Sequence, residues 1–434
     1  MRKFYPILTL QKPFYMKKLF LLFVVYGLNF STHGQVLQPG IAKENGVSAD
    51  RLAQLDKTIN DYVEKGQIPG AVVFIARNGK IVHHKAFGYS DAENKVLLKK
   101  DDIFRIASQT KAITSLAVMM LFEEGKFFLD DPISRYIPEF KNPKVLASVN
   151  WGDTTYSTTP AKSEITIRQL LTHTSGIDYA DIGSQDFKAI YAKAKVTSGI
   201  GTPSSLLADK IKVLGGLPLK HQPGEQFTYG LNTDVLGYLV EVLSGQSLDQ
   251  YFKTKIFQPL GMTDTYFYLP KEKYTRLVPL YQVQNGKLIK MKIPEGKGLN
   301  PNYPATEGSY FSGGAGLSST TEDYAKFLQF FLNKGEYNGV RLLSRKTVEL
   351  MLTNQTQPPV TEQFGLGFGL ETDKNDYKNI YSLGSFSWGG AFNTHYWADP
   401  KEKLVGMIFT NMYASPYWSI GDKFKILTYQ AIAD

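Results

Sequence analysis

Phe104-Arg105-Ile106-Ala107-Ser108-Gln109-Thr110-Lys111 runs directly into Ala112-Ile113-Thr114-Ser115-Leu116-Ala117-Val118-Met119-Met120-Leu121-Phe122, and Gly125 closes the run. The spacing predicts a helix over residues 108–124 that is apolar on most sides and therefore buried. On a helix, residues three apart share a face, about 5–6 Å apart at Cβ, so Ser108 and Lys111 project together from its first turn. A helix of this kind has to be enclosed by other elements, and the flanking sequence supplies them.

Upstream, Ser48 opens a helical pattern with Leu52, Leu55, Ile59, Tyr62 and Val63 on one face, and Gly66 ends it. Residues 71–76 and 81–85 then flank Asn78-Gly79, a strong hairpin signal. Near the other end, residues 394–398 and 404–409 flank Asp399-Pro400-Lys401-Glu402-Lys403 as a second hairpin, followed by a helical segment from about 417 to 433. Between the hairpins the patterns are helical at 166–173, 203–214, 232–244, 247–256, 321–334 and 344–353. Residues 141–164 and 291–312, rich in Asn, Thr, Pro and Gly, read as loops. Strands at both ends with helices between them imply an α/β (α+β) fold, its antiparallel sheet built from both termini and flanked by helices, with a mainly helical insertion.

The chain has 434 residues, enough for one large domain or two closely packed ones. Five units of its net charge of +9 lie in residues 1–34, at Arg2, Lys3, Lys12, Lys17 and Lys18 with no acid, so the remaining chain carries +4. That residue of charge, without a basic run, argues against a nucleic-acid partner. Cysteine is absent, which excludes disulfides, thiolate catalysis, Cys-based metal sites and lipid attachment through a cysteine.

Met16-Lys17-Lys18, the apolar stretch 19–28 and the small or polar Ser31, Thr32 and Gly34 have the order of a secretory signal. The apolar run is shorter than the ~20 residues that span a bilayer. The expectation is a signal peptide over 1–34, with Met16 a better start than Met1, and an exported mature domain over 35–434 with no stable membrane span after processing.

The six histidines show no H-E-x-x-H spacing, there is no G-x-S-x-G elbow and no phosphate loop, so neither a metal nor another cofactor is expected. Ser108-x-x-Lys111 offers a different chemistry. A serine hydroxyl is a poor nucleophile unless a neighbour accepts its proton, and a desolvated lysine with a lowered pKa can do so. The positive end of the helix favours a developing oxyanion at the same place. By itself the pattern more often describes a helix-capping serine and a surface lysine.

The surrounding segments separate these meanings. Residues 104–111, Leu129-Asp130-Asp131-Pro132 through Phe140, Ile165-Thr166-Ile167-Arg168-Gln169-Leu170-Leu171-Thr172-His173-Thr174-Ser175-Gly176-Ile177, Pro223-Gly224-Glu225-Gln226-Phe227-Thr228-Tyr229, Pro259-Leu260-Gly261-Met262 and Gly314 through Asp323 resemble, in order, the serine β-lactamase and penicillin-binding protein family. The likeness is greatest to class C β-lactamases and family VIII carboxylesterases, and it runs from about residue 48 to the C-terminus. It implies a β-lactamase/transpeptidase-like fold and an acyl-enzyme at Ser108, with Lys111 and Tyr229 relaying the proton. It also implies that the backbone N–H groups of Ser108 and Ala391 form the oxyanion hole. His173 falls in a structural turn, and Asp130 and Asp131 mark a helix start.

Two positions depart from the family. Its Tyr-x-Asn becomes Tyr229-Gly230-Leu231-Asn232, so Asn232 is carried over as a substrate-binding residue one place late. Its Lys- or His-Thr-Gly becomes Trp388-Gly389-Gly390, expected to line the substrate site. Trp388 is apolar with a single donor and suits an acyl or aromatic group better than a carboxylate, unless an arginine such as Arg341 replaces the missing charge. The expected partner is a small-molecule ester, with the cyclic or peptide amides of a β-lactamase or D-Ala-D-Ala peptidase as the alternative. A non-catalytic binding protein on this fold is a remoter one.

Overall fold

The computed structural model describes residues 1–4, 35–201, 204–295 and 298–434. The apolar stretch expected to be a signal lies outside them. Everything below concerns the body that starts at His33.

Its centre is an antiparallel sheet of β1 (Gly70–Arg77), β2 (Lys80–Asp91), β3 (Phe386–Gly390), β4 (Thr394–Asp399) and β5 (Leu404–Phe409), in the order β2-β1-β5-β4-β3. Short strands Gln38–Pro39 and Gly369–Leu370 flank the two ends. Both hairpins are therefore present, and residues from the two termini meet where β5 pairs with β1, Val405 opposite Ala76. The first turn uses Asn78 and Gly79 at φ 53° and 68°, left-handed values that asparagine and glycine tolerate.

Every residue of β1 is buried, and its alternation divides two cores. Ala71, Val73 and Ile75 join the cluster under α1 (Ala49–Glu64) and the C-terminal helix Ile420–Gln430. Val72, Phe74 and Ala76 face the larger cluster, which holds Ala112, Ile113, Leu116 and Ala117 of α2 (Thr110–Glu123). As its composition predicts, α2 is enclosed on nearly all sides. Around it pack α3 (Ile167–Leu171), closed by a capping box between Thr166 and Gln169, α4 (Asn232–Ser244) and α5 (Thr321–Leu332). The fold is the β-lactamase/transpeptidase-like one expected.

Two readings need correction. Residues 141–164 are not simply loop, since Lys144–Asn150 and Thr155–Pro160 pair as a hairpin. Its Ser- and Thr-rich strands are largely exposed and so carry little apolar alternation. A helix at Gln185–Lys193 was also absent from the expected set. The helix expected at 203–214 starts later, at Leu207.

Candidate active site

Ser108 precedes α2 in a 3-10 turn, Ala107–Gln109, instead of lying within the helix. Ala107 enters that turn at φ 41°, a left-handed value costly for a residue with a Cβ, and the strain falls directly before the serine. Ser108 is half-buried and lines a narrow cleft with Lys111, Leu171, His173, Thr233, Phe364, Trp388 and Tyr396.

Lys111, one turn on, is 3% exposed. Its ammonium donates to Tyr179 Oη at 2.9 Å and to the carbonyl oxygen of Gly314 at 2.7 Å, and lies 4.7 Å from the ring centre of Tyr229. Burial pushes this lysine down, but the facing phenols of Tyr179 and Tyr229 outweigh it and hold it above the ordinary lysine range. This is the opposite direction to the lowered pKa expected from burial alone, and neither of these two hydrogen bonds goes to Ser108.

Tyr229 sits between Tyr179 and Trp388, with ring centres 5.5 Å from each, and 4.9 Å from His173. Trp388 Nε1 donates to Tyr229 Oη at 3.4 Å. Trp388 is held opposite Tyr396 by the β3–β4 register and meets Phe364 edge-on at 5.3 Å. At the end of β3, a Cβ on Gly390 would collide with the carbonyl oxygen of Ile106 and with Thr394 Oγ1. Only glycine permits that approach, which brings the end of β3 against the Ser108 turn. The structure thus gathers Ser108, Lys111, Tyr229, Trp388 and the glycine pair at one place. Beyond Trp388 and Phe364 the cleft opens into a groove of about 400 Å³, walled in part by Phe227, Leu370 and Tyr381.

Asn232 does not face the cleft. It is 0% exposed, and its amide donates to His173 Nδ1 and the Thr228 carbonyl while its oxygen accepts from Ser175 Oγ. With three of its four hydrogen-bonding sites used inside the fold and no exposed surface, it holds the turn leading to Tyr229 and cannot reach a substrate. His173, at φ 56°, belongs to the same turn, and burial together with the charge of Lys111 keeps its imidazole neutral. Arg341 is paired with Glu336 and lines neither the cleft nor the groove. Tyr179, the hydrogen-bond partner of Lys111, was not singled out from sequence. Its only signal is its place just after Thr172-His173-Thr174-Ser175-Gly176. Among the described residues no cluster of His, Asp or Glu could hold a metal ion.

A serine at a strained turn, a buried ammonium behind it and a glycine-rich strand end beside it define a hydrolase of the β-lactamase type. The chain belongs to the beta-lactamase family, whose model matches residues 55–427. Protein Rv1367c of Mycobacterium tuberculosis is 33% identical over 363 residues, covering 80% of this chain and 87% of that protein. Esterase EstB of Burkholderia gladioli is 29% identical over 378 residues, covering 84% and 91%. Among solved structures, EstCE1, a hydrolase with promiscuous acyltransferase activity, superposes with a TM-score of 0.74 at 26% identity, covering 88% of this chain and 99% of its own.

Proposed function

We propose that this chain hydrolyses carboxylic esters through an acyl-enzyme on Ser108. Ser108 Oγ attacks the ester carbonyl carbon while its proton passes to Tyr229 Oη, and the same proton goes to the departing alkoxide as the ester C–O bond breaks. Water then attacks the acyl-serine by the reverse relay, releasing the acid and restoring Ser108. Lys111, held charged, offsets the phenolate form of Tyr229 and stays protonated throughout. The N–H groups of Ser108 and Ala391 receive the oxyanion at each tetrahedral stage.

One observation carries the preference for esters. Where the family places a lysine or histidine, Trp388 presents an indole whose single N–H is directed at Tyr229, so this strand position supplies no cation to a substrate carboxylate, and the lysines that line the adjoining groove, Lys374 and Lys378, come from another segment. The groove beyond it is mixed, with Phe227, Phe364 and Leu370 on its apolar wall and Lys374, Lys378 and Glu371 on its polar one, and the apolar wall suits an acyl or alcohol group. The relationship to EstB supports ester hydrolysis, and the likeness to EstCE1 supports an alcohol replacing water as acyl acceptor. Export, inferred from the signal pattern at 16–34, belongs to the same proposal. The test is kcat/KM for p-nitrophenyl esters against a chromogenic cephalosporin. Preference for the cephalosporin would promote the β-lactamase alternative.

A further inference from the structure

The relay leaves one buried acid beside it unused. Asp234, in the first turn of α4, is 0% exposed. Its Oδ1 accepts from Ser312 Oγ at 2.6 Å, while its buried Oδ2 lies against the backbone of Gly314. Ser312 begins the loop that serves Lys111. Its Oγ also accepts from the amide of Ala315 at 3.0 Å, Thr114 Oγ1 donates to the Gly313 carbonyl at 2.6 Å, and the Gly314 carbonyl takes the Lys111 ammonium. A Cβ on Gly314 would run into Asp234 Oδ2 and stand 3.5 Å from Lys111 Nζ, so carboxylate and ammonium face the same glycine.

A buried ammonium is costly unless an opposite charge stands near it. The direct acceptors of Lys111, a phenol and a carbonyl, are neutral groups. Around the pair, burial pushes Tyr179 and Tyr310 up and His173 down, which leaves all three uncharged near neutral pH. Burial also pushes Asp234 up, opposed by the Ser312 hydrogen bond and by Lys111.

Building on the proposed Ser108 chemistry, we propose that Asp234 is the positioning residue for Lys111, the counter-charge that keeps its ammonium in place and sets the pH window of the relay. Its negative charge favours the ammonium and opposes a phenolate at Tyr229. Removing that charge therefore lets Lys111 release its proton more readily. The alkaline limb of the activity–pH profile then moves to lower pH. A residue that only fills space would lower the rate and leave the limbs in place.

Asp234→Asn keeps the shape and an acceptor for Ser312. In kcat/KM measured against pH on a p-nitrophenyl ester, the alkaline limb should move down by about one pH unit, the scale of losing a nearby opposite charge. Ser312→Ala, which removes a hydrogen bond that favours the carboxylate, should move the alkaline limb the same way but by less. A wild-type profile in a folded Asp234→Asn whose Ser108→Ala counterpart is inactive overturns this proposal alone. An active Ser108→Ala overturns the hydrolase reading and this proposal with it. Should Asp234→Asn not fold, infrared spectra of wild type and Lys111→Ala at pH 7 decide. A protonated-carboxyl band should appear only on losing Lys111, and equal bands in both would contradict the counter-charge.

Discussion

Trp388 donates its indole N–H to Tyr229 Oη at 3.4 Å, so one side chain both walls the cleft and touches the proposed base. A substrate carboxylate there lacks a charge-assisted partner, a contact worth about 1.5–3 kcal/mol. Each 1.36 kcal/mol is tenfold, so penicillins and cephalosporins should trail small acyl esters by roughly tenfold to over a hundredfold in kcat/KM. Trp388→Lys should narrow the gap by improving the lactams more than the esters. An unchanged ratio would remove Trp388 as the source of the preference.

Tyr229→Phe and Lys111→Ala should each lower kcat by on the order of 10²-fold or more, and the double variant should be little worse than either, since the two act as one relay. Tyr179→Phe removes only one acceptor of the ammonium. It should be the milder change, and steady-state kinetics on one ester compares all four. A Tyr179→Phe defect larger than that of Tyr229→Phe would exchange their roles.

Acid should destabilise the fold before it reaches the carboxylates. Burial lowers His84 and His395 to about 4, with Lys100 adding to the effect on His84. A histidine with a depressed folded pKa favours the folded state above its unfolded value near 6.5 and loses that contribution as pH falls below it. Between pH 7 and 5 these two should cost on the order of 1–2 kcal/mol each. Denaturant midpoints at the two pH values check this, and His395→Gln, if it folds, should flatten the dependence.

The mature N-terminus should fall between about Ser31 and Val36, without lipid because no cysteine is present. N-terminal sequencing of the protein from its native host reads this directly. Full-length chain in the cytoplasmic fraction would contradict it.

Residue type and spacing made part of this site readable. Ser108 and Lys111 are one helical turn apart, and Trp388-Gly389-Gly390 carries a backbone requirement that glycine satisfies. The sheet was readable for the same local reason, since both hairpins carry their own turns. Tyr179 was not readable, because its partner Lys111 lies 68 residues away and 26 tyrosines compete for the role. Asn232 shows the opposite failure. Its place near Tyr229 in the chain pointed to the substrate, but the start of α4 turns its side chain inward onto His173 and Ser175. The charge state of Lys111 likewise depended on acceptors brought in from Tyr179 and Gly314, which no local pattern contains.

The central claim is that Ser108 carries the acyl group. Intact-protein mass spectrometry after brief reaction with a fluorophosphonate probe tests it most directly. The wild-type chain should gain one adduct, mapped to the peptide containing Ser108, and folded Ser108→Ala should gain none. An adduct on Ser108→Ala formed at the wild-type rate would place the nucleophile elsewhere and contradict the account.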